Sequence, residues 1–282
     1  MSVIKGIDVK KEMGIDIEKR VSALKDKGVE TCIAIVKVGH DPSQEAYERG
    51  AIKTMVSYDI KCDVVELAEE VSQSDLEETV KKLNNDNKVH GIMILQPLPK
   101  NLSILPIKEM INPIKDVDSI SPVNLYKTLV ADESGHAPCT AEAVIEILDY
   151  LKTEYKGKKC AVVGCSFVVG RPLGLMLLSR DATVVFCHEF TKDVVKETRD
   201  ADILISAAGV AKLIKSGHVN KNMMVMDVGI NLDKDGKMCG DVDFCEVEPE
   251  VKIITPVPGG VGTVTSTVLA KHVVKAAEVQ TK

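Results

Sequence analysis

The chain has 282 residues, 45% of them hydrophobic and 28% charged, the balance of a soluble globular enzyme with room for two modest domains or one large one. A net charge of −6 argues against a nucleic-acid-binding surface, and no apolar run approaches the roughly 20 residues that span a membrane. Aromatics make up only 3% and Trp is absent, so packing must rest on Val, Ile, Leu, Met and Ala.

Val9, Met13, Ile17, Val21 and Leu24 recur at a helical period and predict a helix over 8–27. TCIAIVKVG (31–39) reads as a buried strand, followed by a helix over 43–57 and a strand, KCDVVEL, over 61–67. Ser74 is the expected cap of a helix running to Leu83, and GIMILQ (91–96) is a third strand that Pro97 and Pro99 stop. From 97 to 140 the sequence reads as a proline-punctuated loop region, a length that usually signals function inside a compact domain. A helix over 141–151 leads to a second series of strands, at 158–164, 182–188, 201–209, 223–229 and 252–257, and to a C-terminal helix. Strand alternating with helix in both series predicts an α/β fold with largely parallel sheets. The expected division is a first domain over 1–140, completed by the C-terminal helix 265–282, and a Rossmann-like domain over 141–264.

Eight cysteines are present, but Cys160 and Cys165, like Cys239 and Cys245, are spaced too widely for a CxxC redox or zinc pair. They read as reduced, mostly buried thiols. The opening MSVIKGIDVKKEMGIDIEKR is charged throughout and lacks the apolar core of a secretory leader, so a cytoplasmic location is expected. Asp116, Asp118 and Glu109 carry no metal-ligand spacing, and no metal is expected. Asp116 reads as a loop-shaping residue, and His188, at a strand end, as a structural imidazole.

The strand KKCAVVG ends at Gly164 and leads through GCSFVVGRP into an apolar helix. This Gly164–Ser166–Gly170 pattern departs from GxGxxG, and an ordinary tight turn would explain it alone. Small residues there let backbone N–H groups approach a pyrophosphate at a helix N-terminus. The next strand ends in Glu189, 25 residues after Gly164, where an NAD enzyme places the carboxylate that binds the adenosine ribose hydroxyls. A carboxylate accepts from the diol and repels a 2′-phosphate, so the cofactor expected is NAD, with NADP as the alternative.

VGHDPSQEAYERGAIK, PLPK, KDVDSISPVN, PCT, VVGCSFVVGRP, DVGIN, GDVDF and TPVPGGVGTVT occur in the order seen in methylenetetrahydrofolate dehydrogenase/cyclohydrolases, and the resemblance covers about residues 3–277. It implies two α/β domains about a cleft in a homodimer, with folate on the N-terminal side and the dinucleotide on the C-terminal side. It also implies oxidation of 5,10-methylenetetrahydrofolate, followed in most members by hydrolysis of the methenyl product to 10-formyltetrahydrofolate. Tyr47 matches the tyrosine over the folate, and Asp118 the aspartate that binds the pterin. Gly164, Cys165, Ser166, Gly170, Glu189 and Ile230 fall on the cofactor side. Pro258, Gly259, Gly260 and Thr265 fall on the substrate side, in the segment that closes the site near both ligands.

Four departures stand out. The lysine of the family's Tyr-x-x-x-Lys is Ala51 here, and Lys53 lies about 200° around the helix from it. Leu95 takes the place of the usual glutamine, with Gln96 on the opposite strand face. The arginine and serine that would hold a 2′-phosphate are Cys165 and Glu189, and Thr263 and Val264 replace the usual Pro and Met. The expectation is therefore an NAD-linked dehydrogenase with little cyclohydrolase activity. The rivals are a bifunctional NADP enzyme using another group or water for hydrolysis, and a catalytically silent folate-binding protein.

Overall fold

The structure, a computed structural model, describes residues 2–281. β1 (Ser2–Val3) precedes α1 (Gly6–Asp26), which buries Val9, Ile17, Val21 and Leu24 at the expected spacing. β2 (Cys32–Val38) is buried except at half-buried Lys37. It is followed by α2 (Pro42–Ser57), β3 (Lys61–Leu67), α3 (Gln73–Asn85) and β4 (Gly91–Ile94). The cap of α3 is Ser72 rather than Ser74: the Ser72 hydroxyl accepts the Asp75 N–H at 3.1 Å, satisfying one otherwise orphaned helix donor.

The region expected as loop from 97 to 140 contains α4 (Leu105–Met110) and α5 (Pro122–Leu129). The prolines misled there because a proline costs nothing in a first helical turn, where its missing N–H has no intrahelical partner. Pro106 and Pro122 both occupy such turns. α6 (Cys139–Tyr150) follows. Then come β5 (Lys159–Val163), α7 (Gly170–Leu178), β6 (Thr183–Cys187), α8 (Val194–Thr198), β7 (Ile203–Ser206) and β8 (Met224–Asp227). The chain closes with β9 (Asn231–Leu232), β10 (Met238–Cys239), α9 (Phe244–Val247), β11 (Ile253–Ile254) and α10 (Val261–Gln280). The small antiparallel β9–β10 hairpin was not expected, and Asp233, whose carboxylate accepts the N–H groups of Asp235 and Lys237, shapes its turn.

The chain divides into two compact units. One comprises residues 12–128, 132–139 and 266–282 and contains a parallel sheet of order β3-β2-β4. Ala34, Val36, Ile92 and Ile94 of that sheet form a core with Leu76 and Val80 of α3 and Ile107 of α4. The C-terminal helix is bound into this unit by Arg20, which donates to both oxygens of Glu278 at 2.9 and 2.7 Å. Gln280 adds a bond to the His90 carbonyl at 2.9 Å.

The other unit comprises residues up to Lys11, 129–131 and 140–265 and contains a parallel six-stranded sheet of order β1-β11-β8-β7-β5-β6. Residues 2–11 were expected in the first domain; they group here because β1 pairs with β11, Ser2 opposite Ile253. The chain leaves β5 to pair β6 on one side and β7 on the other, a topological switch point of the kind that opens a ligand crevice at the strands' carboxyl ends. No helix among the described residues is long and apolar enough to cross a membrane.

Candidate functional site

At that switch point lies a cavity of about 690 Å³ whose walls include Gly164, Cys165 and Glu189, three of the expected cofactor residues. Gly164 follows β5 with φ +103°, and a Cβ on it would meet the Ala207 carbonyl oxygen at 2.2 Å. The position therefore requires glycine and keeps the loop open to a ligand's approach. Ser166 is exposed beside the cavity, its hydroxyl accepting the Val169 N–H at 3.1 Å, and Gly170 is buried at the start of α7. Cys165 donates through sulfur to the Cys187 carbonyl at 3.4 Å, and burial raises its thiol pKa while Arg171 opposes the rise. Ile230 is exposed just beyond β8.

The cavity contains a cation that sequence reasoning missed. Arg171 lines it, donates from Nε to the Cys165 carbonyl at 2.9 Å and lies 4.0 Å over the Phe167 ring. The available signal was its position in the first turn of the helix after the Gly-containing loop. His188 also lines the cavity, and its Nδ1 accepts the Phe190 N–H at 3.1 Å, a structural role that agrees with the sequence reading.

The folate-side residues come together within the other unit. Asp118 is half-buried at the end of a loop built by Asp116, whose carboxylate accepts from Ile120 N at 2.9 Å, Ser121 N at 2.8 Å and Asn124 Nδ2 at 3.0 Å. Burial, with the neighbouring Asp116 charge, pushes Asp118 up to about 6, while a Cys139 hydrogen bond and His272 pull the other way. Tyr47, on α2, is half-buried near both Asp118 and Cys139; burial first, then those two groups, raise its phenol well above the ordinary range. The Val117 carbonyl accepts from Cys139 Sγ at 3.3 Å and from His272 Nδ1 at 2.8 Å, and so fixes the peptide that precedes Asp118. His136 stacks at a tilt on His272, ring centroids 4.9 Å apart. The site thus draws on α2, the 116–118 loop, the start of α6 and α10.

Ala51 is fully buried on α2 and Leu95 is 4% exposed, so apolar side chains occupy both departures. Lys53 and Gln96 are exposed. Lys37 on β2 and the buried Lys115 are engaged elsewhere. Lys37 pairs with Glu48 and Glu66, each at 3.5 Å, and Lys115 donates to the carbonyls of Leu83 and Asp86 at 3.1 and 2.7 Å. Gln44, not singled out in the sequence, ties α2 to the proline loop by donating to the Pro97 carbonyl at 2.8 Å. Pro258, Gly259, Gly260 and Thr265 group with the six-stranded unit, where the Gly259 carbonyl accepts the Gly6 N–H at 2.8 Å and Thr265 donates to the Val261 carbonyl at 3.2 Å.

Comparison with known proteins gives two matched segments. Residues 4–118 match the family described as tetrahydrofolate dehydrogenase/cyclohydrolase, catalytic domain, and residues 138–281 its NAD(P)-binding domain. The bifunctional protein FolD of Alkaliphilus metalliredigens is 46% identical over 99% of this chain and 98% of its own. The crystal structure of the bifunctional FolD enzyme of Campylobacter jejuni superposes with a TM-score of 0.96 at 38% identity, covering 99% of both chains. That of the Trypanosoma brucei enzyme, complexed with NADP cofactor and inhibitor, gives 0.94 at 31% identity, covering 100% of this chain and 98% of its own. With both halves matched in order, this chain belongs to the tetrahydrofolate dehydrogenase/cyclohydrolase family of enzymes.

Proposed function

We propose that this enzyme oxidises 5,10-methylenetetrahydrofolate to 5,10-methenyltetrahydrofolate and uses NAD as the acceptor. The observation that carries the reading is the presence of Gly164, Cys165 and Glu189 on one cavity at the carboxyl ends of β5 and β6. Glycine supplies the close approach, and the Glu189 carboxylate is suited to accept from a ribose diol. Bound there, the nicotinamide supplies the two-electron acceptor. On the substrate side, Asp118, with its pKa at about 6, is ionised at neutral pH and can accept from the pterin's N–H donors. Tyr47, its phenol held neutral, packs over the folate. The oxidation needs no general base, because the methylene carbon loses its hydrogen with both electrons and leaves a cation stabilised by its flanking nitrogens.

A second reading keeps the bifunctional enzyme and NADP. On the comparisons alone it is the better supported, since FolD relatives carry the bifunctional name and the Trypanosoma enzyme holds NADP. Arg171 adds to it, as a cation able to meet a 2′-phosphate. Against its hydrolytic half stand this chain's own residues: apolar Ala51 and Leu95 stand where the family's polar pair would be, and Lys37 and Lys115 are committed to other partners. The cytoplasmic location and the homodimer belong to the same proposal, and sedimentation of the purified enzyme checks the dimer.

The test is the ratio of kcat/KM for NAD and NADP with methylenetetrahydrofolate. A ratio favouring NAD supports the assignment, and one favouring NADP overturns it. Folate binding with no turnover on either cofactor would establish the silent-scaffold rival.

A further inference from the structure

Asp241 follows β10 and is wholly buried. Its Oδ2 accepts from the backbone N–H groups of Ala208 at 2.6 Å and Gly209 at 3.1 Å and from the Ser206 hydroxyl at 3.1 Å. Its Oδ1 accepts from Val210 N at 3.0 Å and Asn231 Nδ2 at 2.9 Å. One carboxylate therefore joins the end of β7 and the loop after it to Asn231, where the loop after β8 enters β9. Asp227, at the end of β8, holds that carboxylate's own backbone: its Oδ1 accepts the Asp241 N–H at 3.0 Å and the Gly229 N–H at 3.2 Å, and its Oδ2 the Val242 N–H at 3.0 Å. The loops close down tightly, for a Cβ on Gly229 would lie 2.0 Å from Asp241 Oδ1.

The loop after β7 lines the cofactor cavity, and the other tied segment carries Ile230, expected from the sequence on the cofactor side. Ala208 and Val210 line the same cavity as Gly164 and Glu189, and Ile230 lies between Gly229 and Asn231. Glu189 follows β6, and β7 and β8 lie on the far side of β5. A dinucleotide whose adenosine is at Glu189 and whose pyrophosphate is at Gly164 extends its nicotinamide half over the 208–210 and 229–231 loops.

We infer that Asp241 is the positioning residue that seats the nicotinamide half of the cofactor, by clamping these two loops to one carboxylate. The inference rests on the dinucleotide reading of this cavity. An amide at 241 would offer a single acceptor oxygen and turn an NH2 group onto backbone N–H donors, so the loops must move even if the fold persists.

The test titrates the full-length enzyme with NADH and with 5′-AMP, which carries only the adenosine half, in wild type, Asp241→Asn and Asn231→Ala. Loss of charge-assisted bonds should weaken NADH about tenfold or more in Asp241→Asn and raise the dinucleotide KM in parallel. Folate KM should stay within about twofold, because Asp118 and Tyr47 belong to the other unit, and AMP, which meets only the loop after β7, should weaken clearly less than NADH. Asn231→Ala, which removes one donor, should show the same pattern at roughly threefold. Equal weakening of NADH and AMP, or no weakening of NADH, overturns the inference. If Asp241→Asn fails to fold, an unchanged NADH affinity in Asn231→Ala overturns it. Wild type that binds neither nucleotide refutes the dinucleotide reading itself and the inference with it.

Discussion

Two carboxylates carry the proposed site, and their surroundings are opposites. Asp118 is half-buried among Asp116, Cys139 and His272, and its pKa is pushed up to about 6. Glu189 is exposed at a strand end on an open cavity. The first depends on packing from several parts of one unit, so its chemistry is hard to alter without loss. The second depends on its position alone, so the proposal expects substitution there to change the preferred cofactor. In the proposed reading, recognition of the substrate rests on a packed network and the choice of cofactor on an exposed side chain.

Removing the half-buried carboxylate breaks this contrast most severely. Asp118→Ala should lower kcat/KM for methylenetetrahydrofolate by at least about 100-fold, since two charge-assisted bonds at roughly 1.5–3 kcal/mol each are lost. The dinucleotide KM should barely move, and a steady-state matrix in both substrates checks the split. At the exposed end, Glu189→Ser with Cys165→Arg should shift the NAD/NADP ratio of kcat/KM about 100-fold towards NADP, or about 2.7 kcal/mol. An unmoved ratio would make Glu189 an ordinary surface charge.

The pH profile sharpens the comparison further. In the proposed reading the carboxylate form of Asp118 accepts from the pterin, and a proton on it removes that capacity. With its pKa at about 6, kcat/KM for folate should fall close to tenfold per unit below that pH. The limb should vanish in Asp118→Asn, measured on whatever activity remains. The smallest effect is expected at Arg171, an exposed cation in a wet cavity. Arg171→Ala should reduce NADP use by roughly fivefold at most and leave NAD use nearly unchanged, as an exposed charge pair is worth about 1 kcal/mol or less. A larger loss would make Arg171 the principal phosphate anchor.

The α/β class and most elements were legible because period-2 and period-3.6 patterns are local. α4 and α5 were not, because their prolines read as breakers although they occupy first turns. β1 is two residues long, and only its pairing with distant β11 makes it a strand. At the site, Tyr47 and Asp118 were found through motifs, and the structure places them together. Cys139 and His272 were invisible as neighbours because 133 residues separate them and tertiary topology alone brings their side chains to 3.6 Å. Asp241 lay in a motif already noticed, but three of the residues it holds are in the loop after β7, through backbone N–H groups that carry no residue-type signature, and a fourth, Ser206, ends that strand.

The fate of the methenyl product tests the central claim most directly. The enzyme is incubated with 5,10-methylenetetrahydrofolate and NAD, and NADH and methenyltetrahydrofolate are followed together. The account expects the two to rise in equal amounts and the methenyl species then to decay at the rate of buffer alone, because Ala51 and Leu95 offer no polar group for its hydrolysis. Enzyme-dependent conversion of that species to 10-formyltetrahydrofolate, well above the buffer rate, would contradict it and establish the bifunctional enzyme.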